Sequence, residues 1–202
     1  FDQWVYGVGH PVFEVEKQYS DSKKQLTITV FQKQKKDTAI TFPQAEYFKG
    51  KIDIEIDSKI IQVWLDAKEK NVYTFPLNNE PKLVNFDYES TWIKKLTFKK
   101  PLKELIYQFK NDPDVLGRSF AMTELVSLVK NENTKGEDKE LIYSAFRNVI
   151  ESNIYWRMRF NALSQLRNLL TNASDPNPAK LNEETINMLH RVIEKDSAWV
   201  LT

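Results

Sequence analysis

His10 and His190 are the only imidazoles in the chain, so they bound the metal and acid–base chemistry it can hold. A zinc site gathers three or four ligands, usually with two close in sequence. Here the two histidines lie far apart, His10 before a proline at the start of a strand and His190 beside Leu189 on a helix. They read as a turn residue and a helix-face residue. A Ser-His-Asp arrangement fails on the same shortage, because neither histidine has a nucleophile beside it. With no cysteine, thiol nucleophiles, disulfides and thiolate metal sites are all absent. Gly7-Val8-Gly9 lacks the third glycine and the strand–turn–helix setting of a phosphate loop. The expected catalytic, cofactor-binding and metal-ligating residues are therefore none.

Four further patterns carry possible chemistry. Asp53, Glu55 and Asp57 alternate along one strand. Their oxygens could hold a calcium ion, but alternation with Ile52, Ile54 and Ile56 reads more simply as the solvated face of a sheet. Lys33-Gln34-Lys35-Lys36-Asp37 reads as a charged hairpin tip. Asn172-Ala173-Ser174 matches a glycosylation sequon and reads as chance. Trp64 and Trp92 could stack on a sugar or peptide, although within alternating strands they read as sandwich core or domain interface.

The elements that would position these residues fall into two halves. Over residues 1–98, Phe13, Val15 and Tyr19, then Leu26, Ile28 and Val30, then the isoleucines 52, 54 and 56, then Ile61, Val63 and Leu65 alternate with polar residues. Residues 72–75 and 83–86 complete the series. Short period-two runs with polar turns, such as Asp57-Ser58-Lys59, predict an antiparallel β-sandwich.

From 99 to 202 the period is helical. Leu102, Leu105, Ile106 and Phe109 mark a first helix. Asp112-Pro113 reads as a cap and first-turn proline opening a second helix, and 131–138, with Gly136, as a loop. Leu141, Ile142, Ala145, Phe146, Val149 and Ile150 mark a third helix, and 154–170 a fourth. Pro176 and Pro178 fall in a loop. Asn182 caps a fifth helix carrying Ile186, Leu189 and Ile193, and Asp196 or Ser197 caps a sixth. The fold class is thus β + α in two segregated domains.

Part of the helical half repeats. Val115-Leu116-Gly117-Arg118-Ser119-Phe120-Ala121 is echoed by Trp156-Arg157-Met158-Arg159-Phe160-Asn161-Ala162, and Trp199-Val200-Leu201-Thr202 opens the phrase again. A period near 40–47 residues with one helix pair per unit predicts a HEAT-like array of about two and a half pairs. Ala121 and Ala162 fall where helices need close approach, and Trp156 and Trp199 where repeats would pack. The chain starts at Phe1 without methionine and stops inside the third unit, which reads as a segment of a longer protein.

Composition narrows the function classes. Net charge is +1, from 29 basic and 28 acidic residues, which disfavours nucleic acid as a partner. No apolar run approaches the roughly 18–20 residues of a membrane span. The compartment stays open between bacterial cytoplasm and cell envelope.

The order of phrases resembles the M1 family of zinc aminopeptidases, downstream of their catalytic domain. Trp4-Val5-Tyr6-Gly7-Val8-Gly9-His10-Pro11-Val12-Phe13-Glu14-Val15 is similar to the stretch that opens that family's small β-sandwich. Pro81-Lys82-Leu83-Val84-Asn85-Phe86-Asp87 followed by Trp92 and Leu96 is similar to the stretch that closes it. Glu104-Leu105-Ile106-Tyr107-Gln108-Phe109-Lys110-Asn111-Asp112-Pro113-Asp114, through Arg118 and Ala121, looks like the start of its helical C-terminal domain.

The family's chemistry is missing. The chain has no His-Glu-x-x-His, which sets two imidazoles and a general base on one helix, and no Gly-x-Met-Glu-Asn strand. The resemblance implies a non-catalytic fragment of a zinc-dependent hydrolase. Its cofactor, zinc, and its peptide substrate would belong to the intact parent, and its partners would be the absent catalytic domain and remaining helical repeats. A non-enzymatic interaction scaffold related to M1 peptidases is the alternative.

Overall fold

Period-two alternation becomes two facing sheets in the computed structural model of the chain, which describes residues 2–171 and 183–195. The chain divides into two units, residues 1–100 and 101–202. In the first, β1 (Val12–Ser20), β2 (Gln25–Gln32), β5 (Lys70–Pro76) and β7 (Lys95–Phe98) form a sheet in the order β5-β2-β1-β7. β3 (Gly50–Ile56), β4 (Lys59–Leu65) and β6 (Val84–Phe86) form a second in the order β4-β3-β6.

Phe13, Val15, Leu26, Ile28 and Val30 from the first sheet, and Ile52, Ile54, Ile56, Leu65, Val84 and Phe86 from the second, are all buried. The Phe13 and Phe86 rings meet edge-on at 5.3 Å. Each fully buried side chain of this size contributes about 1.5–3 kcal/mol. Asp57 and Ser58 close the β3–β4 hairpin with φ of 47° and 68°, the doubly left-handed turn that matches strand twist.

Three expectations are corrected. The sandwich is mixed rather than antiparallel, because β7 runs parallel to β1, pairing Val12 with Lys95 and Val15 with Phe98. Residues 95–98, which the alternation does not mark as a strand, form β7. The Lys33–Asp37 stretch is no hairpin tip. It starts the 33–49 connection that carries the chain from β2 in one sheet to β3 in the other.

Side-chain amides hold this crossover. Gln32, 2% exposed, donates to Phe48 O and accepts from Phe48 N, both at 2.8 Å. Gln34 donates to Glu46 O at 2.7 Å, and Gln3 exchanges hydrogen bonds with the Lys49 backbone at 2.6 and 3.0 Å. The glutamines thus supply the backbone partners that a neighbouring strand would give.

In the second unit α1 (Leu102–Asn111) packs on α2 (Val115–Lys130), and α3 (Gly136–Glu151) on α4 (Trp156–Leu170). α1 contacts α3, α2 contacts α4, and α5 (Glu183–Lys195) contacts α3. Ala121 and Ala162 are fully buried among Leu105, Phe109, Leu125, Phe146, Ile150 and Met158, as close helix packing requires.

Two arginines at corresponding places make similar hydrogen bonds. Arg118 Nε donates to Asp112 O at 2.5 Å, and its Nη1 to Phe109 O and Lys110 O at 3.1 and 2.8 Å. Forty-one residues on, Arg159 Nε donates to Ile150 O at 2.8 Å. Each arginine, one turn into its own helix, satisfies carbonyls that the end of the preceding helix leaves without partners. Burial lowers the pKa of both guanidiniums, and nearby Asp112 raises that of Arg118 in opposition.

Local details also differ from expectation. Asp114, not Asp112, caps α2, accepting from Leu116 N and Gly117 N at 2.9 and 3.1 Å. Asp112 ends α1 instead, and Gly136 opens α3. Leu141 is exposed. On α5 the buried side chains are Thr185, Met188 and Val192, whereas Ile186 and Ile193 are exposed. Ion pairs from Arg147 to Glu184 at 2.8 Å and from Arg191 to Glu151 at 2.5 Å set that rotation against α3. Trp156 is also exposed, beneath the Arg157 guanidinium. Trp199–Thr202, the Asn172 sequon, Pro176, Pro178, and the caps Asn182, Asp196 and Ser197 lie outside the described residues. Among the described residues no helix is long and apolar enough to cross a membrane.

Candidate functional site

The residues singled out by chemistry are not brought together. His10 is half-buried in the lead-in to β1, and His190 is exposed on α5 in the other unit. The three carboxylates read along one strand serve three separate tasks, and Asp57 lies past the end of β3, in the turn. Asp53 accepts from Gln62 Nε2 at 3.1 Å across the hairpin. Glu55 is 1% exposed and accepts from Asn85 Nδ2 at 2.7 Å, so it does not lie on a solvated face. Asp57 accepts from the backbone of Lys82 and Leu83 at 2.8 and 3.0 Å, which fixes the lead into β6. Among the described residues no group of three or more such ligands is arranged to hold a metal ion. Gly7-Val8-Gly9 lies along the crossover, with Val8 N donating to Pro43 O at 2.9 Å.

Trp64 is exposed on β4, not in the core. Its carbonyl accepts from the Tyr73 hydroxyl at 2.8 Å. Burial, with Asp66 adding to it, pushes the Tyr73 phenol up to about 12.

What the fold does bring together is an aromatic junction where the sandwich opens and closes. A helical turn, Asp2–Tyr6, places the Trp4 ring 4.9 Å from Phe48 and edge-on to Trp92 at 5.1 Å. Trp92 lies 6.0 Å from Phe13 and donates its indole N–H to Lys51 O at 2.9 Å. Edge-to-face pairs of this kind contribute about 0.5–1.5 kcal/mol beyond the area they bury. At Gly50 an added Cβ would stand 3.0 Å from the Trp92 ring, at a φ of 155°, so only glycine suits that position.

Asp87 organises the loop that carries Trp92. Its buried carboxylate accepts from Thr91 N at 3.2 Å, Thr91 Oγ1 at 2.7 Å and Trp92 N at 3.0 Å, and it pairs with Lys94. The backbone is left-handed at Asp87, Glu89 and Ser90, with φ of 57°, 60° and 51°. Left-handed positions of this kind cost of order 1–3 kcal/mol each and persist where surrounding bonds over-determine them. The junction therefore presents apolar contact area, with the Asp87–Lys94 ion pair satisfied internally.

A second concavity, of about 410 Å³, lies on the outer face of the four-stranded sheet among Glu14, Glu16, Gln18, Thr27, Thr29 and Lys99. It opens where β7 ends at Phe98 and leaves β1 unpaired on that side beyond Val15. Its lining is polar and shallow.

No protein-family profile matches the chain, and no curated protein matches it. The structure is nonetheless similar to the crystal structure of Legionella pneumophila aminopeptidase A in complex with aspartic acid, with a TM-score of 0.58 at 11% sequence identity. The chain has an aminopeptidase-related fold. The match covers 93% of this chain and 24% of the Legionella chain, so this chain spans about a quarter of that aminopeptidase. Residues 4–15 and 81–96 meet at the junction, through Trp4 and Phe13 from the first and Phe86 and Trp92 from the second.

Sequence reasoning missed Asp87, Lys94 and the three glutamines. A lone Asp or Gln carries no periodic signal, and only the fold shows which backbone it must satisfy. A cue did exist at Asp87, in the packing of Asp87, Ser90 and Thr91, loop residues that bond their own backbone, into a short span.

Proposed function

We propose that this chain is a non-catalytic segment of a zinc-dependent aminopeptidase of the M1 family. Its sandwich braces the catalytic domain of that parent, and its HEAT-like helical unit forms part of the wall of the substrate chamber. The observation that carries this reading is the fold match, which runs through both units over 93% of the chain.

The residues of this chain do not fit the zinc itself. The two histidines lie in different units, and the sequence holds no His-Glu-x-x-His, so no catalytic step is assigned to it. Zinc in the parent would supply an activated water and a Lewis acid. What this segment contributes is enclosure: a walled site excludes water and bulk protein, favouring peptides as substrates.

The reading frame directly upstream of Phe1 tests the proposal. It is expected to encode a domain carrying His-Glu-x-x-His. A frame encoding an unrelated domain would overturn it, and a frame with a degraded motif would favour the scaffold.

A further inference from the structure

We propose that β4 is a self-association edge, pairing antiparallel with β4 of a second copy of this chain about a two-fold axis at Gln62. This pairing does not depend on the parentage proposed above. Among the described residues the two sheets end in β5 and β7, and in β4 and β6. A long uncharged edge is a template for another strand, and proteins blunt such edges with lysine, proline or short length. β6 and β7 have only three and four residues. On β5, Glu69 O accepts from Gln32 N at 2.8 Å and Leu77 N donates to Lys24 O at 2.9 Å. Those bonds turn residues 69 and 77 toward β2, so Lys70, Val72, Thr74 and Pro76 face the open side. The β5 edge thus starts at a lysine and ends at a proline, which has no N–H to offer.

β4 has none of these guards. Ile60-Ile61-Gln62-Val63-Trp64-Leu65 holds no charge and no proline, the composition of a strand prone to pair. Asp57 and Ser58 form a two-residue turn, so Ile56 and Lys59 close the hairpin as a hydrogen-bonded pair. Counting from Lys59, the backbone of 61, 63 and 65 turns to β3, and that of Ile60, Gln62 and Trp64 turns outward. The Tyr73 hydroxyl marks the same direction, reaching Trp64 O at 2.8 Å from β5 of the other sheet. That carbonyl keeps a second lone pair. Ile60 and Trp64 are 50% and 54% exposed, with Gln62 exposed between them.

The occupant follows from the sequence of the strand itself. A two-fold axis at Gln62 sets Ile60 opposite Trp64 of the second copy, Ile61 opposite Val63, and Gln62 opposite Gln62. Aromatic and β-branched residues pair favourably across strands, whereas like charges directly opposite do not. Here no charge meets another. This register also pairs all three outward-facing residues within the strand on both copies. The interface is isologous and uses up the β4 edge of each copy, so it closes at a dimer. One added strand pair is a small interface, so the dimer is weak and reversible. A foreign extended peptide is the competing occupant.

Sedimentation equilibrium of this chain over a range of concentrations, alongside Gln62→Lys and Gln62→Glu, tests the proposal. Reversible dimerisation is expected. Each variant should weaken it about tenfold or more, because two like charges then face each other across the axis. An equal mixture of the two should associate again, which requires position 62 of one copy to meet position 62 of the other. A lysine there stays beside Asp53, which now accepts from Gln62 at 3.1 Å, so the hairpin keeps its partner. Thr74→Lys on the β5 edge is the control and should change nothing. Hydrogen exchange gives a second reading. The amides of Ile60, Gln62 and Trp64 should slow at least about tenfold on dimerisation, while those of Ile61 and Val63 keep their rates. A chain still monomeric at about 1 mM, the weak limit of specific association, overturns the proposal and leaves the edge to a foreign strand. Dimers indifferent to both charge variants, variants that do not recover on mixing, or growth past the dimer also overturn it.

Discussion

Replacing Asp87 by asparagine tests whether one buried carboxylate holds the junction together. Asparagine tolerates the left-handed backbone that Asp87 adopts at φ 57°, so conformational preference is left nearly unchanged. The change removes the charge opposite Lys94. The Asp87 side chain is 0% and that of Lys94 6% exposed. Breaking a buried pair from one side costs about 3–5 kcal/mol, mostly because the remaining charge is left uncompensated. Lys94 keeps a hydrogen bond to Ser90 Oγ at 2.9 Å, which places the expected loss near the lower figure, about 3 kcal/mol. Removing that charge as well, in Asp87→Asn/Lys94→Met, should restore part of the loss. Urea unfolding measures it, with Trp156 and Trp199 replaced by phenylalanine so that fluorescence reports Trp4, Trp64 and Trp92 alone. A loss within the roughly 0–1 kcal/mol of an exposed pair, or a double variant less stable than the single one, would refute the reasoning.

Other outcomes follow from the same geometry. Gly117→Ala should destabilise α2 in thermal unfolding, although propensity alone favours alanine by about 1 kcal/mol, because the new Cβ would collide with Asp112 Oδ2 and stand 2.9 Å from its Cγ; a raised Tm would contradict this. Absorbance titration at alkaline pH should show the Tyr73 phenol ionising near 12 rather than near the ordinary 10, and Tyr73→Phe should remove that contribution, while burial also holds Tyr143 above the ordinary value. Because the folded-state value is the higher one, the Tyr73 contribution is complete below pH 10 and is lost as pH rises toward 12, so Tyr73→Phe should flatten the loss of stability across that window. Arg118→Lys should destabilise the helical unit by about 1 kcal/mol or more, since Arg118 donates to three carbonyls at the end of α1 and lysine cannot span them with a planar fork; far-UV dichroism under denaturant reads the loss, and unchanged stability would contradict it.

Much of the fold was legible because burial imposes periodicity. Phe13 with Val15, and Ile52 with Ile54 and Ile56, fall on the inner faces as their alternation requires. The recurrence of Arg118 at Arg159 marks the two described helix pairs. What escaped the sequence was pairing at a distance. Nothing local distinguishes a strand joining parallel to β1 from a polar segment, so β7 was invisible, and alternation cannot tell whether Glu55 faces water or Asn85. On α5 two apolar stripes compete, and the ion pairs of Arg147 and Arg191 with acidic partners on the facing helices decide between them. The candidate site was half legible: Trp4 and Trp92 stood out as residues, while the Asp87 carboxylate and the glutamine amides that place them did not.

The central claim is tested most directly by aminopeptidase activity measured on this chain and on the same chain joined to its upstream polypeptide, with a chromogenic amino-acyl substrate, with zinc present and after chelation. Residues 1–202 alone should release nothing under either condition, and the joined protein should give release that chelation abolishes and zinc restores. Zinc-dependent release by residues 1–202 alone would contradict it.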